Sequence, residues 1–150
     1  MIVAMIPHKE FGELRLSQFS PASQIVALTN WEFMGRTWVG EAIGFTGWLR
    51  PQKHPGLLQS LALDLGALHK AIYSAVFRRV GLPLQRGMAI EQITTVLGEP
   101  VETHRFVADR TTYEFFWLGV EPYNVSCTVL AQGGLTYVVV SVPFRKRRVA

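Results

Sequence analysis

Leu82-Pro-Leu-Gln-Arg-Gly-Met-Ala-Ile-Glu-Gln-Ile-Thr-Thr-Val-Leu-Gly-Glu-Pro100 is the stretch whose reading decides the fold. Ile90, Ile93, Val96 and Leu97 recur at helical spacing and give a short helix one apolar face. Gly98 can cap that helix, and Pro100 forbids its continuation. Beyond Pro100 the apolar period changes to two: Phe106 and Ala108, then Tyr113, Phe115 and Trp117, then Val125, Cys127 and Val129, then the run Leu135 to Val142. Four strands are predicted. The turns between them, at Asp109-Arg110, Gly119 to Tyr123 and Gln132-Gly133-Gly134, are short enough for antiparallel neighbours. The last strand has apolar residues on both sides, so both of its faces are expected to be partly covered.

Upstream, Leu61, Leu65, Leu68, Ile72 and Val76 read as one helical stripe within a long helix over 57–80. Arg78 and Arg79 suit its carboxyl end, with Gly81 as a left-handed cap before Pro83. Gly12 to Leu16 alternates like a short strand, and Ser20-Pro21 opens a helix running to about Asn30. From Phe33 to Leu49 aromatic and β-branched residues interrupted by Gly35, Gly40, Gly44 and Gly47 predict a twisted hairpin. Arg50-Pro51-Gln-Lys-His-Pro-Gly56 is an exposed loop or linker. The fold class is therefore α+β, with helices packed on a curved antiparallel sheet. Residues 1–150 are expected to form a single domain with sub-modules 11–50 and 82–144 joined by the long helix.

Sliding the chain by about 68 residues places Leu14-Arg-Leu16 on Leu82-Pro-Leu84, Gln24-Ile25 on Gln92-Ile93, Trp38-Val39 on Phe106-Val107, Glu41 on Asp109 and Phe45 on Tyr113. A divergent tandem repeat of a helix-plus-strands module is the expectation. The pattern Leu-x-x-Gly-Met-x-x-Glu-Gln-Ile-x-x-x-Leu-Gly-Glu-Pro, with Tyr113-Glu-Phe115 and the Gly133-Gly134-Leu135 turn, resembles the SmpA/OmlA-type lipoproteins and the β-lactamase inhibitory protein. The resemblance covers about Leu82 to Val142, with a fainter echo at Leu14 to Leu49. It implies a helical start on a curved antiparallel sheet whose concave face binds a protein. The lipobox cysteine of the lipoproteins and the cysteine pairs of the inhibitor have no counterpart here, so membrane anchoring and extracellular inhibition are not carried over.

With 49% hydrophobic and 17% charged residues, the chain has the composition of a folded domain rather than a disordered one. The net charge of +4 equals the charge of Arg145, Lys146, Arg147 and Arg148 alone, leaving the remainder close to neutral. That basic terminal segment reads as a solvated end, or as a nucleic-acid contact. Cys127 is the single cysteine, which excludes an internal disulfide and a cysteine-type zinc site. Its place in an apolar alternation predicts a buried small hydrophobe. Met1 to Ile6 lacks the pattern of a signal peptide, and charges interrupt the best membrane-span candidate, Leu57 to Val80. A cytoplasmic location is the expectation.

No catalytic signature emerges. His8, His54, His69 and His104 lie in different elements without metal-ligand spacing, and Gly40 to Gly47 lacks the Gly-Lys-Ser/Thr ending of a phosphate loop. No catalytic, cofactor or metal residue is assigned, and a non-enzyme is expected. The aromatic residues are the better lead. Alternation sends Phe116 and Leu118 to the face opposite Phe115 and Trp117. A helix over that second face would make them core; an open face would make a protein-binding patch, with Arg105, Arg110, Glu114, Phe116, Glu121 and Tyr123 as its candidate residues. The leading expectation is a protein-binding inhibitor or immunity-type factor whose partner is a toxin or an enzyme. The alternatives are a nucleic-acid binder using the basic tail and a small ligand-binding domain or enzyme with a pocket between helix and sheet. A homodimer through the open face or the long helix also stays open.

Overall fold

Alternation after Pro100 becomes four strands, and four more extend them into a single antiparallel sheet. A computed structural model describes residues 5–14, 32–34, 37–42, 45–49, 58–118 and 121–143. The elements in chain order are α1 (His8–Gly12), β1 (Glu32–Met34), β2 (Thr37–Ala42), β3 (Phe45–Leu49), β4 (Leu58–Asp64), α2 (Lys70–Val80), α3 (Ile90–Leu97), β5 (Glu102–Val107), β6 (Arg110–Leu118), β7 (Pro122–Leu130) and β8 (Gly134–Ser141). The architecture is α+β, and the sheet is open and curled with strand order β1-β2-β3-β4-β8-β7-β6-β5. Each half is a meander, and the two meet where β4 pairs with β8 from Ser60↔Ser141 to Asp64↔Tyr137.

The long helix expected over 57–80 is two elements. Leu61 and Leu63 alternate inward on β4, each 1% exposed, and Ala62 between them is equally buried. Four-residue spacing from Leu61 to Leu65 therefore mimicked a helical stripe across a strand and a turn. The break lies at Asp64, whose Oδ1 accepts the N–H groups of Gly66 and Ala67 at 2.9 and 3.2 Å and so turns the chain. His69 then caps α2, its Nδ1 accepting the Ala71 N–H at 3.1 Å. The other end follows expectation: Gly81 takes a left-handed φ of 84° after Arg78 and Arg79.

Two further expectations change. Gly12 ends helix α1 instead of opening a strand, and Leu14 is buried beyond it. The hairpin expected over 33–49 contains three strands, since Glu32–Met34 already pairs antiparallel with the start of Thr37–Ala42. The helix predicted from Ser20 to Asn30 lies outside the described residues. Register does not support the repeat alignment. It sets Glu41 within β2 against Asp109 in a turn, and matches β2 to edge strand β5.

The core lies between one face of β4, β6, β7 and β8 and the helices. Leu61, Leu63, Phe115, Val125, Cys127, Leu135, Val138 and Val140 meet Ile72, Tyr73, Val76, Phe77 and Val80 of α2 and Ile93 and Leu97 of α3. Each such side chain contributes about 1.5–3 kcal/mol on burial. The N-terminal segment closes this layer: Ile6 N–H donates to the Val80 carbonyl at 3.1 Å, and Phe11 is wholly buried against Tyr123.

The opening motif has a contact that its spacing concealed. Gly87 N–H donates to the Leu135 carbonyl and Leu135 N–H to the Met88 carbonyl, both at 2.9 Å. The chain entering α3 is thus laid against the start of β8. A Cβ on Gly134 would stand 2.2 Å from the Gly87 carbonyl oxygen, so only glycine permits the approach. Gln92 completes the entry by accepting the Ala89 N–H at 2.9 Å.

Candidate functional site on the open sheet face

Register divides β6, β7 and β8 into two faces of opposite character. On the face turned from the helices, four rows of side chains cross the strands. Val107, Arg110 and Leu130 share the first; His104, Thr112, Thr128, Tyr137 and Asp64 the second; Glu102, Glu114, Ser126, Val139 and Ala62 the third; Phe116, Asn124, Ser141 and Ser60 the fourth. Polar residues dominate because period-two alternation puts Asn124, Ser126 and Thr128 opposite to Val125 and Cys127. No helix among the described residues packs on this side of β6 and β7. Phe116 is consequently 42% exposed, whereas Phe115 beside it is 2% exposed.

Hydrogen bonds organise the rows. Thr112 and Thr128 join hydroxyls across the strands at 3.0 Å, and the Ser126 hydroxyl donates to Glu114 Oε1 at 3.0 Å. Glu102 and Glu114 are direct cross-strand partners, so two carboxylates occupy one row. His104 Nε2 lies 3.2 Å from Glu102 Oε2.

The predicted site residues separate. Phe116 and Glu114 lie in adjoining rows of the open face, and Arg110 lies two rows beyond Glu114 with its guanidinium on Asp109 at 3.1 Å. That bond holds the Asp109 carboxyl below its ordinary value and raises Arg110. Arg105 donates to the Ala108 carbonyl at 3.0 Å and fixes the β5–β6 turn. Glu121 anchors the N-terminal segment, its Oε1 accepting the His8 N–H at 3.0 Å and its Oε2 lying 3.2 Å from His8 Nδ1. Tyr123 is no surface anchor. It is 0% exposed, its hydroxyl donates to the Ile6 carbonyl, and burial followed by the charges of Glu121 and Glu10 raises its phenol above the ordinary value. Its odd-numbered register with Cys127 explains the correction: Tyr123 belongs to the helix-covered face. Arg145, Lys146, Arg147 and Arg148 lie outside the described residues.

Sequence reasoning missed Glu102, His104, Asn124, Ser126, Thr128 and Tyr137 as members of this face. Their signal lies in the polar half of each alternation, opposite the apolar half that marks the core. Among the described residues no group of histidine, cysteine and acidic side chains is placed to hold a metal ion, and no helix is long and apolar enough to cross a membrane. Cys127 is buried, and desolvation, then the charge of Glu114, pushes its thiol up to about 12. A thiolate nucleophile at neutral pH is thereby disfavoured.

One depression of about 530 Å³ lies on the opposite side, bounded by Gly87, Ile90, Glu91, Tyr113, Val129 and Gly134. It is shallow, and no convergent set of acid, base and nucleophile lines it.

Comparison with family models, with curated proteins and with solved structures finds no match for this chain.

Proposed function

We propose that this protein is a non-enzymatic binding protein that presents the open face of β5–β8 to a partner protein, in the manner of an inhibitor or immunity-type factor. The observation that carries this reading is an exposed Phe116 whose register neighbours on the same face are Asn124 in its own row and Glu114 and Ser126 in the next, on a hydrogen-bonded sheet. Aromatic side chains bring large contact area at low entropy cost, and hydroxyl and amide neighbours adapt to a partner's polar groups. Regular strands hold the face in place before binding, which reduces the ordering cost of association. The resemblance of Leu82 to Val142 to proteins that use a concave sheet for binding supports the same reading.

Affinity capture from the native host tests it, using the wild type and Phe116→Asp. A single protein retained in stoichiometric amount by the wild type and lost with the folded variant is the expected result. No reproducible protein partner, or retention unaffected by the substitution, would defeat the proposal.

A further inference from the structure

We infer that the partner surface received by this face is cationic and places a basic side chain against Glu102 and Glu114 beside Phe116. The inference rests on the protein-binding reading above and adds the chemistry of the partner. The chain as a whole carries a net charge of +4, yet this face runs the other way. Among its described residues Glu102, Glu114 and Asp64 stand against Arg110, which is already engaged by Asp109. Like charges directly opposite on one sheet face oppose folding. Here His104 approaches Glu102 and Ser126 donates to Glu114, and each carboxylate has acceptor capacity beyond that one contact.

An arriving guanidinium or ammonium relieves the repulsion by contacting both carboxylates. Phe116 follows Glu114 on the same side of β6, so its ring borders the carboxylates and offers a π surface to the same cation. Arginine fits best, because its planar fork matches carboxylates and its face stacks on an aromatic ring. An approaching phosphate backbone meets the opposite field on this face.

Selection from a displayed library of random dodecapeptides tests the chemistry directly, with wild type, Glu102→Gln/Glu114→Gln and Phe116→Ala as targets. Circular dichroism and thermal melts establish that each variant is folded. Wild type should enrich peptides carrying arginine next to an apolar residue. Their synthetic versions should bind at least tenfold more weakly to both variants, and the loss on the glutamine variant should shrink as salt is raised. Enrichment of neutral or acidic peptides that depend on Phe116 but not on the glutamates would overturn the cationic inference and leave the binding face standing. Peptides indifferent to both variants, or no enrichment at all, would overturn both. Retention of a twenty-nucleotide oligothymidylate that is lost on Phe116→Ala would also overturn the inference, replacing a basic partner by nucleic acid.

Discussion

The two faces of β6 are built from alternate residues of one strand, and they obey different demands. Tyr113, Phe115 and Trp117 point toward the helices and fill space, while Thr112 and Glu114 point away and hydrogen-bond to neighbours on β7, and Phe116 points away with its ring exposed. Phe115 and Phe116 are the sharpest case: identical side chains, adjacent in sequence, with exposures of 2% and 42%. The difference teaches that chemistry must be sought in the residues that a core assignment discards.

That contrast can be broken most forcefully at Phe115. Phe115→Ala should cost about 3–5 kcal/mol in urea denaturation, because it removes a buried ring and leaves a cavity. A loss below 1 kcal/mol would contradict its place in the core. Gly134→Ala should cost about 2–3 kcal/mol by the same measurement, combining a left-handed φ of 74° with a Cβ driven into the Gly87 carbonyl. Survival without loss would mean that the α3 entry is not seated on β8.

Cys127 gives the covered face a signature in pH. Its thiol is raised from 9.0 to about 12, so the folded state holds the proton that the unfolded chain releases first. The contribution is complete below pH 9 and disappears as pH rises from 9 toward 12. By pH 10 the wild type should have lost about 1.4 kcal/mol through this group. Cys127→Ala should lack that slope, and equal slopes in the two melts would exclude the effect. Tyr123→Phe should cost about 1 kcal/mol by removing the hydrogen bond to Ile6, with faster amide exchange over residues 5–14 as the accompanying sign. The smallest stability effect belongs to the open face: Phe116→Ala should change unfolding by less than about 0.5 kcal/mol. A larger destabilisation would show that Phe116 is a structural residue.

Much of the second meander was legible because turns and alternation agreed. Val125, Cys127 and Val129 sit inward as the period requires, and Gly98 and Pro100 end α3 where expected. Failure came where two periods overlap. Leu61, Leu65 and Leu68 satisfy helical spacing, but the Asx turn at Asp64 and pairing with both β3 and β8 make Leu58–Asp64 a central strand. Hydrogen bonds to distant strands are tertiary information, and no local pattern encodes them. Tyr123 was misread for a related reason: its aromatic character suggested a surface anchor, although two steps along the strand place it with Val125. The Glu102 and Glu114 pairing needed the β5–β6 register, which a bulge between His104 and Val107 alters.

The β4–β8 seam carries a consequence for how the chain folds. Within each meander the paired strands are consecutive in the chain, while Ser60 must find Ser141 with α2, α3 and three strands in between. That non-local step is the slow one, since its loop-closure entropy is spent before its contacts are gained. Until it is complete, β4 and β8 are both unprotected edges with complementary registers. Two chains at high concentration can satisfy them reciprocally, so refolding yield should fall with concentration even where the finished monomer is stable.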